Sequence, residues 1–143
     1  MYKIFLTFLT TIMLTANVSQ RSIVPVQAVI DHIENKKGKI YLGVYSSSED
    51  YMDTEKAIVK KIVSVEKQQS VTIDLGDLPP GKYAVVVFLD TNNNGVLDTN
   101  VFGIPKEKYG FSGTIKPMFR APNFEEAAVS ISETKKTIAV RLN

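Results

Sequence analysis

The amino-acid sequence predicts an all-β protein, an antiparallel β-sandwich of immunoglobulin-like or prealbumin-like type with about seven strands and at most short helical turns. Apolar and polar residues alternate with period two over much of the chain, as in strands that bury one face. Clusters of Gly, Pro, Asn and Lys separate these segments, as turns require. No segment has the periodicity of a long helix. We therefore expect one β-sandwich domain over residues 21–143.

The predicted strands follow one another with short connections. A turn at residues 35–38 joins the first two as a hairpin, and the Pro-Pro-Gly sequence at 79–81 enforces another turn. Residues 83–89, which come next, are apolar on both faces and predict a central strand covered on both sides. The predicted strands cover residues 24–33, 39–46, 57–65, 70–75, 83–89, 115–119, 128–132 and 137–142.

Three connecting segments have other patterns. Residues 46–50 are polar and can cap a short helical turn. Residues 121–127 carry an early proline followed by two glutamates, which favours the start of a helix. Residues 101–112 contain several Gly and Pro positions, and we expect an ordered but irregular segment there.

Residues 1–20 predict a signal peptide. A short basic start precedes an apolar run at residues 4–14, and residues 15–20 are small and polar. A transmembrane helix needs about 20 apolar residues, so we expect none after signal cleavage, with an uncleaved anchor as the alternative. The protein is expected to be exported, to the periplasm or the extracellular space. The sequence has no cysteine, so the fold must be stable without disulfides.

The net charge of +2 is small, and the lysines are scattered rather than arranged in a stripe with interleaved aromatic residues. Binding to nucleic acid would require such a stripe, so we do not expect it.

An oxygen-rich loop at residues 90–98 is the clearest chemical feature of the chain. Asp90, Asn92 and Asn94 occupy the first, third and fifth places of a calcium loop, Val96 would offer its carbonyl at the seventh, and Asp98 lies at the ninth. Gly95 at the sixth place permits the tight turn. The sequence predicts a weak structural calcium site, with a dissociation constant on the order of 0.1–1 mM.

The calcium pattern is incomplete, and a metal-free turn remains the alternative. Val101 stands at the twelfth place, where a bidentate Glu normally completes the site. The Asn94-Gly95 pair is also a strong hairpin signal that requires no metal.

An ordered series of motifs extends beyond the loop. Leu-Pro-Pro-Gly-Lys-Tyr-Ala at 78–84 precedes Val-Val-Val-Phe-Leu-Asp at 85–90, and Phe-Gly-Ile-Pro-Lys-Glu-Lys-Tyr-Gly-Phe-Ser at 102–112 follows the loop. Together they closely resemble the bacterial exported domain-of-unknown-function family DUF2141, from about residue 38 to residue 142. The resemblance implies an exported β-sandwich and carries no established activity. The family pattern often has His where this chain has Leu89, so no mechanism based on that histidine carries over.

The segment after the loop, residues 102–111, has two interpretations. Lys106, Glu107, Tyr109 and Phe111 form a possible ligand loop, and Glu107 can supply the carboxylate that Val101 does not. Alternatively, the aromatic and aliphatic residues of residues 102–111 pack an irregular loop over the edge of the sandwich.

Several classes of function follow from these residues. The chain has no cysteine and only His32 as histidine, so an enzyme is the least supported class. We expect a non-catalytic exported module that binds a ligand or a protein. The alternative is a carbohydrate-binding or carbohydrate-active envelope protein that uses the Asp98 and Glu107 region, with Tyr109, Phe111 and Phe119 as the exposed aromatics. Docking on an envelope protein through a sheet edge is a third possibility.

Overall fold

The computed structural model describes residues 22–113 and 120–143. The predicted signal peptide at 1–20 and the predicted strand at 115–119 lie outside the described residues. The strands are β1 (Val24–Asp31), β2 (Lys37–Tyr45), β3 (Val59–Glu66), β4 (Ser70–Leu78), β5 (Gly81–Asp90), β6 (Tyr109–Phe111), β7 (Val129–Ile131) and β8 (Thr137–Arg141). A 3-10 turn at Thr54–Lys56 and the one-turn helix α1 at Phe124–Ala127 complete the described elements.

The strands form two sheets, which confirms the predicted β-sandwich. One sheet has the order β4-β1-β8, and the other has the order β3-β2-β5-β6, with β7 also paired to β5. The antiparallel prediction is wrong at one place, because β8 runs parallel to β1. The turn after β7 carries the chain from one sheet to the other, so β7 and β8 do not form a hairpin.

Strand β6 was not predicted, because the Gly and Pro positions of residues 101–112 indicated an irregular segment. Tyr109 and Phe111 pair with Phe88 and Val86 of β5, and this pairing places the segment at the edge of the larger sheet. Gly110 lies between them, and a Cβ there would come within 2.4 Å of the Arg141 carbonyl oxygen. Glycine therefore allows β6 and β8 to approach closely and close one corner of the sandwich.

The main core lies between the two sheets and follows the predicted alternation. Val26, Ala28 and Ile30 of β1 belong to the same core cluster as Val85 of β5, and all four side chains are fully buried. The core side chains that are fully or almost fully buried are Val26, Ala28, Ile30, Ile33, Ile40, Val44, Val65, Val85, Val87, Leu89, Ile138, Val140 and Leu142.

A second, smaller core covers part of the outer face of the larger sheet. Tyr45, Ala84, Phe111, Phe124 and Ala127 form it. Because α1 is only four residues long, it covers the early part of β5 and leaves the rest open. The prediction that residues 83–89 are covered on both faces is therefore confirmed for residues 83–85. Val86 and Phe88 are only half-buried.

Candidate metal loop and ligand trough

Asp90 organises the oxygen-rich loop from within. It ends β5 and is completely buried. Its Oδ1 accepts hydrogen bonds from the backbone N–H groups of Asn93 at 2.6 Å and Asn94 at 3.3 Å, and its Oδ2 accepts one from Gly95 at 2.8 Å. Asn93 and Gly95 have positive φ angles of 62° and 81°. The Asp90 carboxylate thus holds three consecutive backbone donors in a tight turn.

Asn92 and Asn94 link the first half of the loop to Asp98. Each Oδ1 accepts the backbone N–H two residues later, from Asn94 and Val96, at 3.0 Å in both cases. Each Nδ2 donates to the Asp98 carboxylate, and Asn94 does so at 3.1 and 3.2 Å to its two oxygens. The structure therefore brings together the side chains of Asp90, Asn92, Asn94 and Asp98 in one loop. The Val96 side chain is exposed.

Glu107 closes the neck of this loop. Its Oε1 accepts hydrogen bonds from the backbone N–H of Thr91 at 2.8 Å and from the Thr91 hydroxyl at 3.1 Å. Its Oε2 accepts the backbone N–H of Asp98 at 3.2 Å. Glu107 is buried, with 9% of its surface exposed. The sequence predicted that Glu107 lies near the loop, but its backbone contacts become visible only in the structure.

The loop concentrates negative charge. Within residues 22–113 and 120–143, no lysine or arginine forms an ion pair with Asp90, Asp98 or Glu107. In the same described ranges, no three side chains of the His, Cys, Asp and Glu types gather closely enough to hold a metal ion. Amide and backbone oxygens would therefore have to complete any cation site here.

The predicted ligand loop divides into two parts. Lys106 is exposed, whereas Tyr109 and Phe111 belong to β6 and pack into the second core. Their rings meet edge to face, with centroids 5.9 Å apart. The alternative, in which apolar residues of 102–111 pin the loop, is wrong for Phe102 and Ile104. These side chains are 85% and 59% exposed.

A trough on the outer face of the larger sheet was not found by sequence reasoning. Its volume is about 540 Å³, and its floor is formed by side chains of β2, β3 and β5. The lining residues on these strands are Tyr41, Leu42, Gly43, Tyr45, Lys60, Lys61, Ile62, Val86 and Phe88. Aromatic residues at alternating, outward positions of β2 and β5 are the signal that would have indicated it.

The floor of the trough contains a row of apolar side chains that crosses the sheet. Ile62 pairs with Tyr41, and Tyr41 with Phe88, in the strand register. The rings of Tyr41 and Phe88 are stacked. Ile62 is 61% exposed, and Gly43 carries no side chain beside this row. The open part of the sheet is therefore an apolar surface, unlike the polar outer face of an ordinary sandwich.

Two loops form the walls of this trough. Met52, Thr54, Glu55 and Ala57 line it on one side, and the metal loop contributes residues 95–97 on the other. A Cβ placed on Gly95 would lie 3.5 Å from the Tyr41 hydroxyl, so the loop approaches the floor closely. The conformation of the oxygen-rich loop therefore determines part of the shape of the trough.

The surroundings of the trough include both charged and buried polar groups. Lys60 lies 3.7 Å from Glu55, and both line the trough. Behind one wall, Tyr51 packs edge to face on Tyr45 and Phe124. Burial raises the pKa of Tyr51 to about 12, and its buried hydroxyl has no hydrogen-bond partner among the described residues.

Together these features define a β-sandwich protein with an oxygen-rich loop beside an open, apolar sheet face. The chain belongs to the DUF2141 family, described as an uncharacterised protein conserved in bacteria, which its residues 28–139 match. No curated protein and no solved structure matches it. Within the part of the chain that the structure describes, no helix is long and apolar enough to cross a membrane.

Proposed function

We propose that this protein is an exported, non-catalytic module that binds an amphiphilic ligand in the trough, with the oxygen-rich loop stabilised by calcium. The observation that carries the proposal is the apolar floor around Tyr41, Phe88 and Ile62, left open between two loops. A volume of about 540 Å³ lies within the range of small-molecule sites, roughly 300–1,000 Å³. Export is inferred from the signal-peptide pattern of residues 1–20.

The charges at the trough favour a ligand with an apolar chain and an anionic group. Lys60 lines the trough and lies on the same outer face of β3 as Ile62. Its partner, Glu55, is exposed and lies at 3.7 Å. An acyl chain can cover the aromatic floor, where hydrophobic burial supplies most of the affinity. Its carboxylate or phosphate can pair with a lysine at the rim.

This ligand proposal is tested with a fluorescent fatty acid, dansyl-undecanoic acid, titrated into the mature protein. We expect an emission increase that Ile62→Glu abolishes, because the substitution places a carboxylate in the apolar row. Ser64→Glu is the matched control, since Ser64 is the next outward residue of β3 and does not line the trough. Unchanged binding by Ile62→Glu would show that the fatty acid does not occupy the trough.

Calcium is proposed as a structural ion in the loop at residues 90–98. Asp90 and Asp98 are the carboxylates, and the Oδ1 atoms of Asn92 and Asn94 each retain a second lone pair beside the backbone hydrogen bond. The uncompensated charge of the loop supports a cation, since nearby carboxylates repel one another. The Val96 carbonyl completes the oxygen set that the spacing of the loop predicts.

The calcium proposal requires a probe that leaves the metal-free turn intact. Asp90→Ala removes acceptors of three backbone N–H groups and therefore destabilises the loop with or without metal. Asp98→Asn tests metal binding more specifically, because it removes one charge and retains an oxygen acceptor. Calcium at ten times its dissociation constant should stabilise the native protein by about 1.4 kcal/mol. We expect Asp98→Asn to reduce this gain in thermal unfolding, while magnesium gives none. Equal calcium responses of both proteins would exclude the site.

Carbohydrate chemistry at Asp98 and Glu107 has less support. Both Glu107 oxygens accept hydrogen bonds from the loop backbone, and the residue is buried. A general acid or base must reach its substrate, so this arrangement favours a positioning role. Of the aromatics proposed for sugar stacking, Phe111 is buried in the second core and Tyr109 is half-buried against it.

A further inference from the structure

The loop after the metal loop carries an apolar tip with no role in the trough. Val101, Phe102 and Ile104 are 94%, 85% and 59% exposed, and we call them, with Gly103, the apolar finger. Exposed apolar side chains are common singly, but three at one tip form a surface that favours an apolar environment. Nothing in the metal loop or the trough requires them.

Hydrogen bonds within the finger and to Asn100 hold its conformation. Asn100 Oδ1 accepts the backbone N–H of Phe102 at 2.9 Å and that of Ile104 at 3.0 Å. The Asn100 carbonyl accepts the N–H of Gly103 at 2.9 Å, and the Asn100 N–H donates to the Ile104 carbonyl at 2.8 Å. A bridge between Thr99 and Pro105 closes the base. The N–H groups of Phe102, Gly103 and Ile104 are thus satisfied within the finger, which lowers the cost of moving this tip out of water.

Basic residues surround the end of the sandwich from which the finger projects. The turn between β1 and β2, the end of β3 and the end of β5 all lie there, because Lys37 pairs with Glu66 and Lys39 with Asp90 in the strand register. The lysines at this end that form no ion pair among the described residues are Lys36, Lys39, Lys67 and Lys106.

Two acidic residues of the same end, Glu34 and Glu66, form ion pairs with lysines. Lys37 pairs with Glu66 at 2.8 Å, and Lys108 pairs with Glu34 at 2.9 Å. Asp90 and Glu107 are buried against backbone donors. Asp98 is the exception, and its carboxylate is held by two asparagine amides. Among the side chains at this end that are not buried and form no ion pair, four lysines therefore stand against two carboxylates, Asp31 and Asp98.

We propose that the apolar finger inserts into the interface of an anionic lipid bilayer, with the surrounding lysines binding lipid headgroups. An apolar tip for the acyl boundary and a basic rim for the anionic surface are the two attractions that hold peripheral proteins on membranes. This inference is independent of the trough and of calcium, and it stands if neither binds its ligand.

The test uses the absence of tryptophan from the sequence. Phe102→Trp places a single indole at the tip of the finger. Ile23→Trp is the matched control, since Ile23 is exposed, lies at the opposite end of the sandwich and does not line the trough. Vesicles of phosphatidylcholine with about 30% phosphatidylglycerol, an anionic fraction chosen to give a negative surface potential, are added in chelator. We expect a blue shift and quenching by brominated acyl chains for Phe102→Trp only.

A pelleting experiment with the same vesicles separates insertion from simple charge attraction. We expect Val101→Ser with Phe102→Ser to weaken vesicle binding about tenfold, because two apolar side chains no longer leave water. Ile23→Ser should bind as the unmodified protein does, because Ile23 is exposed at the opposite end of the sandwich. Binding should fall with salt and with neutral vesicles. Absence of vesicle binding, or unchanged binding of the double variant, would overturn the proposal. Self-association through the finger without vesicle binding would equally overturn it.

Discussion

The ring of Tyr41 stacks on the ring of Phe88 across strands β2 and β5, with centroids 4.9 Å apart and planes inclined by 7°. The pair lies on the outer face of the sheet, where a sandwich ordinarily presents polar residues. Tyr41 also lies near Gly95, so the pair connects the sheet face to the oxygen-rich loop.

This stacking predicts a measurable coupling between the two rings. Phe88→Ala and Tyr41→Ala, singly and together, form a double-mutant cycle of unfolding free energies in urea. We expect a coupling energy of about 0.5–1.5 kcal/mol, as stacked aromatic pairs give beyond their burial. Additive single effects would mean that the rings touch without stabilising the fold.

Glu107 is predicted to stabilise the metal loop through its backbone. Glu107→Gln leaves one oxygen acceptor where the native side chain has two, so the N–H of Thr91 or Asp98 loses its partner. We expect a loss of about 1–3 kcal/mol of unfolding free energy, the cost of an unsatisfied, part-buried donor. Hydrogen exchange should accelerate at these two amides. Full stability of Glu107→Gln would show that the loop is held otherwise.

Removing either of two tyrosine hydroxyls is predicted to change stability, in opposite directions for the two residues. The Tyr51 hydroxyl is buried without a partner among the described residues, whereas the Tyr83 hydroxyl donates to the Pro79 carbonyl at 2.7 Å. We expect Tyr51→Phe to raise the thermal midpoint slightly, because it removes an unsatisfied polar group. Tyr83→Phe should lower stability by about 1 kcal/mol, since a hydrogen bond is lost. A loss for Tyr51→Phe would indicate that its hydroxyl has a partner in solution.

The ion pair between Arg120 and Glu126 of helix α1 predicts that the stability of the protein falls at acid pH. The Arg120 guanidinium donates to both Glu126 oxygens, at 2.7 and 2.8 Å, and with the backbone hydrogen bond from Asn123 lowers the pKa of Glu126 from 4.5 to about 2. A lowered folded-state pKa contributes stability that is present above the ordinary pKa and lost as pH falls through the folded value.

We therefore expect the stability difference between the native protein and Glu126→Gln to be constant above about pH 5 and to shrink towards pH 2. Urea unfolding at a series of pH values measures it. Arg120→Gln should remove most of the same dependence, because it deletes the cause that lowers this pKa most. A pH-independent difference for Glu126→Gln would contradict the assignment.

Local patterns in the sequence were sufficient for the all-β class, for the turn before β5 and for the family. The predicted hairpin of β1 and β2 is wrong, because β1 pairs with β4 and β8 in one sheet, whereas β2 pairs with β3 and β5 in the other. Period-two alternation and turn residues act over a few neighbours, so they can be read without knowing which strands pair. The position of Asp90, Asn92, Asn94 and Asp98 in one loop follows from spacing for the same reason.

Other features of the fold and the site depend on tertiary contacts that local patterns do not show. The parallel pairing of β8 with β1, the contacts of Glu107 with the backbone of residues 91 and 98, and the close approach of Gly110 to Arg141 all join residues distant in the chain. The sequence shows that Tyr41 and Phe88 are apolar, but only the assembled sheets show that α1 is too short to cover them. Periodicity tells which side chains share a face of a strand, whereas the covering of that face depends on the length and placement of elements elsewhere in the chain.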